Sequence, residues 1–158
     1  MTMLKPAAQR VQAAATTLDL KIAIIEMNES TKTAEDAARA CGCSVAQIVK
    51  SLVFQRVDTS APVMLLVSGT NRVDPARVAD QTGFKLKRPG ADVVRQQTGF
   101  AIGGIPPFGH AQPIATYIDT ALLQHDVVWA AAGTPNAVFS VNPSNLASVT
   151  QAQIIDMS

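Results

Sequence analysis

Lys50 is the charged residue whose setting says most about chemistry. It lies in Ile48-Val49-Lys50-Ser51-Leu52-Val53-Phe54, an apolar run with the composition of a strand. Alternation along a strand puts Lys50 on the face of Leu52 and Phe54, the core side, where an unpaired lysine is rarely tolerated. Two readings follow. Either Lys50 begins the strand and its stem carries the ammonium out to water, or it lines a cavity as a point cation for a phosphate or a carbonyl oxygen. The second segment with chemical content is Gly99-Phe-Ala-Ile-Gly103-Gly104-Ile105-Pro106-Pro107-Phe108-Gly109-His110. Gly103 and Gly104 let backbone approach a ligand and leave N–H groups to hold an oxyanion. Pro106 and Pro107 stiffen the loop and remove two donors. Such a segment bounds a small pocket, or it is an ordinary rigid turn under the sheet.

Other chemistries find less support. The two cysteines, Cys41 and Cys43, form a C-x-C with no second pair, and His110 and His125 stand at no ligand spacing from them, so no metal site is expected. No G-x-S-x-G elbow presents a nucleophile, and no Walker or Rossmann loop presents a phosphate site. The expectation is metal-free, cofactor-free, non-covalent chemistry. Asp119, a conceivable general base, is better placed to cap the turn that begins at Thr120. Lys85, Lys87 and Arg88 make a small basic cluster, a solvated edge or a patch that steers an RNA backbone. Trp129 lies among apolar strand residues and reads as core.

The elements that must position these residues follow from pattern and caps. A helix starts near Pro6, runs through Ala7–Thr17, and puts Val11, Ala14, Ala15 and Leu18 on one stripe. Ile22–Met27 reads as a short buried strand and Asn28–Thr33 as a loop. Thr33 caps a helix over Ala34–Ala40 that ends near Gly42, and Ser44 caps a shorter one. Lys50–Arg56 and Val63–Ser68 form a hairpin across the turn Val57–Pro62. Asp74-Pro75 opens a helix that Gly83 closes, and Phe84–Arg88 is a candidate strand. Ala91–Thr98 forms the next helix, closed by Gly99. The likeness between Val78–Phe84 and Val94–Phe100 is repeated helix-ending chemistry, with Gly left-handed and Phe folding back. Strands are expected at Ile114–Ile118, Val127–Ala131 and Ala137–Val141. A last helix opens at Asn142-Pro143, and Ile154–Ile155 adds an edge strand. Interleaved helices and hairpin-linked strands argue for a mixed sheet rather than a doubly wound parallel one, and no linker divides residues 1–158.

Composition sets the limits. With 158 residues, 47% of them apolar and 16% charged, the chain can bury a sizeable single core built from Ala, Val, Ile and Leu. A net charge of +1 argues against wrapping long nucleic acid, DNA included, and confines any RNA contact to one patch. Lys5, Arg10 and Asp19 interrupt the first twenty residues, which lack the apolar stretch of a signal peptide. No segment is apolar enough to span a membrane, and Cys41 and Cys43, one residue apart, are too close for an ordinary unstrained disulfide, so a reducing, cytoplasmic setting is expected.

Several segments, in order, resemble one family. Thr33-Ala-Glu-Asp-Ala-Ala-Arg-Ala, Gln47-Ile-Val-Lys50-Ser-Leu-Val-Phe54, Ser68-Gly69 and Val73-Asp74 resemble the first half of the YbaK / prolyl-tRNA synthetase-associated editing domains. Thr98–His110, with a G-x-x-x-P element from Gly103 to Pro107, resembles the second half; Ala132-Gly133-Thr134 and Pro143-Ser-Asn-Leu146 resemble the closing segment. The resemblance implies a single α+β domain with a mixed, barrel-like β-sheet flanked by helices. It also implies deacylation of mischarged tRNA, in trans here because synthetase modules are absent from the sequence.

The family's key lysine matches Lys50, and its G-x-x-x-P loop borders the aminoacyl pocket. The residues implied at the substrate are Ser51, Gly103, Gly104, Ile105, Pro106, Pro107, Phe108, Gly133 and Thr134. Lys50 holds the terminal adenosine or its phosphate, N–H groups near Gly103 and Gly104 stabilise the oxyanion, and the free ribose hydroxyl of the substrate activates water. The expected partner is the acceptor end of a mischarged tRNA, with prolyl-tRNA synthetase or another translation factor as protein partner. Met27, Ile105 and Phe108, read as pocket-side and apolar, favour a small uncharged amino acid, alanine or cysteine on tRNA for proline. A non-catalytic module binding tRNA ends or a synthetase, and a hydrolase of small esters or nucleotides, are the competing expectations.

Overall fold

A hairpin of apolar strands organises the chain. β2 (Val49–Arg56) and β3 (Pro62–Ser68) pair antiparallel, with Lys50 opposite Val67 and Phe54 opposite Val63. These elements belong to a computed structural model that describes residues 4–158; the domain expected over residues 1–158 starts three residues earlier, outside the described part. Ahead of the hairpin come α1 (Pro6–Thr17), β1 (Ile25–Glu26) and α2 (Ala34–Cys41). After it come α3 (Pro75–Thr82), β4 (Leu86–Lys87), α4 (Ala91–Thr98) and β5 (Ala115–Asp119). The chain closes with β6 (Val128–Ala131), β7 (Ala137–Val141), α5 (Pro143–Thr150) and β8 (Gln153–Ile155).

The larger sheet has the order β4-β2-β3-β5-β8, with parallel pairing from β3 to β5 and from β5 to β8. The smaller sheet, β1-β7-β6, is antiparallel. A parallel bridge between Ile48 and Trp129 joins them at the start of β2, so the two sheets curl into a half-barrel. This is the expected α+β fold with a mixed, barrel-like sheet.

Two apolar layers explain why β3 is apolar along its whole length. Its residues Met64 and Leu66 point inward with Val49, Val53, Ile118, Val128 and Phe139, a core closed by Ala8, Val11 and Ala15 of α1. Val63, Leu65 and Val67 point outward with Phe54 and are covered by Val78 of α3 and by Ile155 and Met157. A strand buried on both faces loses the polar half of its alternation.

Caps set the helix limits. Thr33 accepts from the Asp36 N–H, Asp74 from Ala76 and Arg77, and Asn142 from Ser144 and Asn145. Pro6, Pro75 and Pro143 occupy first turns, where a missing N–H costs nothing. The two similar heptapeptides end α3 and α4 alike. Gly83 and Gly99 are left-handed at φ +86° and +81°, and Thr82 and Thr98 donate to Val78 and Val94.

Some sequence expectations give way. Of Ile22–Met27 only Ile25 and Glu26 pair, and Ile25 is 44% exposed on this edge strand of the three-stranded sheet. Leu18 leaves the α1 stripe: it follows the last helical residue, and Asp19 turns the chain at φ +57°. Phe84–Arg88 contracts to the two-residue β4, while Phe84 itself packs edge-on to Tyr117 at 6.2 Å.

Candidate active site

The curl leaves a hollow of about 360 Å³ at the junction of the two sheets. Its wall takes Lys50, Ser51 and Val53 from β2, Trp129 and Ala130 from β6, and Val138 from β7. The loop from Thr31 to Thr33, the start of α2, Arg88-Pro89, and Ile102, Gly103 and Ile105 complete it. Every charged side chain on the wall is a cation: Lys32, Lys50 and Arg88. Apolar side chains, several of them buried, make up most of the rest. Among the described residues, no cysteine, histidine or carboxylate lies on the wall.

Lys50 is half-buried, and its Nζ donates to the backbone carbonyl of Asn71. It stands between the hollow and a second cleft, which holds Glu35, Asn71 and Arg72. The ammonium is thus tied to the backbone where the hollow and the cleft meet. Burial lowers its pKa from the ordinary lysine value; Glu35 opposes the shift, Arg72 adds to it and Asp119 opposes it. Ser51, one residue on and facing the other way, has a buried Oγ with no hydrogen-bond partner among the described residues. Ser51 as a residue lines the hollow.

The Gly/Pro loop divides. Gly103 is on the wall at φ +104°, and a Cβ there would lie 3.4 Å from the Lys32 side chain. Its N–H has no partner among the described residues, and Ile105 beside it is buried and on the wall. Gly104 is buried behind them. Its N–H is spent on the Ala101 carbonyl at 3.2 Å, and its own carbonyl takes the Gly133 N–H at 2.8 Å. A Cβ on Gly104 would meet Gly133 and Thr134 backbone at 2.8 Å. Gly104, Gly133 and Thr134 thus form a close backbone crossing that supports the wall without lining it.

The rest of that loop turns away. Pro106, Pro107 and Phe108 are buried, and Phe108 packs on Phe139 with centroids 5.6 Å apart. Pro107 and Phe108 border a separate groove beside Leu18 and His110. His110 Nε2 lies 2.7 Å from the Pro106 carbonyl, which pins the loop, and burial lowers the pKa of that imidazole. Met27, expected on the pocket side, is engaged through its backbone with Asn136 and is not on the wall.

Sequence reasoning passed over three wall residues. Trp129, expected in the core, is half-buried and faces the hollow from β6 while resting on Ile48, Ala37 and Ala38. Its signal was its place between the buried Val128 and Ala130 in an alternating strand. Lys32 lies in a polar loop and Ile102, 61% exposed, in a glycine-rich one; neither had a periodic neighbour to betray it. Of the basic cluster only Arg88 reaches the wall, and its guanidinium also lies 5.3 Å from the centroid of Phe54. Cys41 and Cys43 are free and away from the hollow; burial, with help from Cys43, pushes Cys41 up to about 11. No helix among the described residues is long and apolar enough to cross a membrane.

Comparison with known proteins agrees with this architecture. Residues 28–149 match the model of the aminoacyl-tRNA editing domain family. An uncharacterized protein, YwhH of Bacillus subtilis (strain 168), is 30% identical over 131 residues, 83% of each chain. A solved structure described as a candidate trans-editing enzyme for prolyl tRNA synthetase is 43% identical, covers 99% of both chains and superposes with a TM-score of 0.93. The hypothetical protein APE2540 is 25% identical, covering 94% of this chain and 98% of its own, at a TM-score of 0.86.

Proposed function

The chain belongs to the aminoacyl-tRNA editing domain family, and from that premise we propose that it acts in trans as a deacylase, hydrolysing the ester of a mischarged tRNA. The observation that carries the reading is the wall of the hollow: three cations, Lys32, Lys50 and Arg88, around an apolar interior that includes one tryptophan face. That combination suits a ligand with phosphates at one end, a base to stack and a small uncharged group to bury. The acceptor end of an aminoacylated tRNA has all three.

In this reading Lys50 holds the terminal adenosine phosphate or the ester carbonyl. The Gly103 N–H, rather than that of Gly104, is the backbone donor toward the developing oxyanion. Ser51 Oγ supplies a further hydrogen bond to the bound ester, Ile105 borders the aminoacyl group, and Trp129 offers its face to the terminal adenine. An aminoacyl ester is already activated, so water assisted by the free ribose hydroxyl of the substrate suffices, and no protein nucleophile is required. The wall carries no thiolate, imidazole or carboxylate of the kind that holds a zinc ion, which supports a metal-free reading. Pro106, Pro107, Phe108, Gly133 and Thr134 act as supports of the wall, not as contacts. Alanine or cysteine on tRNA for proline is the leading substrate, with prolyl-tRNA synthetase as the protein partner.

The lack of any carboxylate or imidazole on the wall also fits a second reading, a non-catalytic module that binds tRNA ends. Turnover on several mischarged tRNAs, run beside free amino-acid esters, decides between them. Multiple turnover confined to a mischarged tRNA supports the deacylase. Binding of every acceptor end without hydrolysis sinks it, and equal hydrolysis of free esters moves the protein to a general esterase.

A further inference from the structure

Asp119 is 2% exposed, yet it bears a carboxylate. Oδ1 accepts the Ala121 N–H at 3.1 Å and so caps the turn Thr120–Gln124. Oδ2 reaches the other way, accepting the Ser68 N–H at 3.1 Å and the side-chain amide of Asn71, through Nδ2, at 2.9 Å. The carbonyl of that same Asn71 receives Lys50 Nζ at 2.5 Å. The segment between them is tied down as well. Gly69 donates to the Ile48 carbonyl at 2.8 Å, Asn71 to that of Ser68 at 2.9 Å, and Gly69 has no room for a side chain against Val45.

We propose that Asn71, pinned by Asp119, is a positioning residue that holds the Lys50 ammonium at one place, where the hollow meets the second cleft. The inference rests on the reading of Lys50 as a substrate contact. A lysine stem has four rotatable bonds, and an unanchored ammonium would follow water out of the hollow. The anchor is a carbonyl, which fixes the ammonium without cancelling its charge. A carboxylate in that place would form an ion pair and withdraw the cation from an incoming phosphate. Asp119, one link behind, holds the carbonyl in place without bonding the lysine. Glu35 and Arg72 are the other charges beside Lys50 in that cleft.

Asn71→Ala tests this, because it keeps the backbone carbonyl that Lys50 uses and removes only the amide that Asp119 grips. Lys50 and Lys32 are labelled with limiting acetic anhydride and quantified by mass spectrometry, Lys32 serving as internal reference. Labelling of Lys50 relative to Lys32 should rise several-fold. On an alanine-charged tRNA for proline, kcat should fall about 10- to 100-fold with KM within about twofold, as for a misplaced group near the reaction. Asp119→Asn, which sets an amide where both oxygens now accept, should shift both readouts the same way. Unchanged labelling in both variants overturns the anchor. Raised labelling with unchanged kcat overturns its role in the reaction. Failure of the functional reading looks different: the unaltered protein then deacylates no tRNA, while the labelling ratio still decides whether Asn71 holds Lys50.

Discussion

At the scale of single residues, Lys50 and Ser51 carry opposite predictions about stability and activity. Lys50→Ala should fold and lose about 10²- to 10³-fold in single-turnover deacylation, the usual loss for one charge-stabilising donor. The active form is the charged one, and burial makes that charge easier to lose. Activity should therefore fall on the alkaline side at a pH below the ordinary lysine value of 10.5. A background-corrected pH–rate profile of the protein, beside that of Lys50→Arg, checks the assignment. Ser51→Ala removes a buried hydroxyl that has no partner. Its thermal midpoint should hold or rise, since an unsatisfied buried polar group costs about 1–3 kcal/mol. Its KM should rise nevertheless, and a drop in midpoint with unaltered KM would mean that Ser51 serves the fold and not the ligand.

At the scale of elements, the loop over residues 99–110 and the two similar helix ends give the sharpest contrasts. Gly103 and Gly104 are adjacent in sequence and differ in what surrounds them. A methyl at Gly103 meets only the flexible Lys32 side chain, so Gly103→Ala should fold at a cost of about 1–3 kcal/mol, the price of its backbone angle. Because that methyl lies 3.4 Å from the Lys32 side chain, the kinetic defect should include a displaced cation. Gly104→Ala meets backbone at 2.8 Å and should cost more than its neighbour. Paired thermal melts settle the order. The helix ends make a second pair. Thr98 is fully buried and its hydroxyl serves both the Val94 carbonyl and the Phe100 N–H. Thr98→Val leaves the buried Phe100 N–H without its partner, at about 1–3 kcal/mol. Thr82→Val, at the half-buried twin, should cost less than about 1 kcal/mol because water can replace the hydroxyl. Equal costs by denaturant unfolding would show that burial is not what separates the twins.

At the scale of the whole molecule, charge is spent locally. The net charge is +1, and the cations that bear on the hollow are Lys32, Lys50 and Arg88. Affinity for uncharged tRNA should be weak and should fall with salt, with a log–log slope no steeper than about −3, since each phosphate neutralised contributes about 0.7 to 0.9. Titration of a labelled acceptor stem at several salt concentrations measures the slope. A slope near −8 would require a basic surface that reaches well beyond the hollow.

Much of the fold was legible in the chain because it rests on local signals. Thr33, Asp74 and Asn142 start helices by satisfying their own N–H groups, and Gly83 and Gly99 end them by taking an angle other residues resist. The alternation of β2 and the doubly buried run of β3 follow from the same kind of near-neighbour pattern. Lys50 was legible for that reason too: a cation in an apolar strand has to be accounted for. What decided the site was the curl of two sheets, and curl is set by pairing between residues far apart, such as Ile48 with Trp129. No local pattern says that Lys32 and Arg88, 56 positions apart in number, face one hollow (88 less 32). Nor does any say that two glycines side by side part company, one on the wall and one under Gly133. Those facts depend on distant segments packing against each other, and only the tertiary structure holds that information.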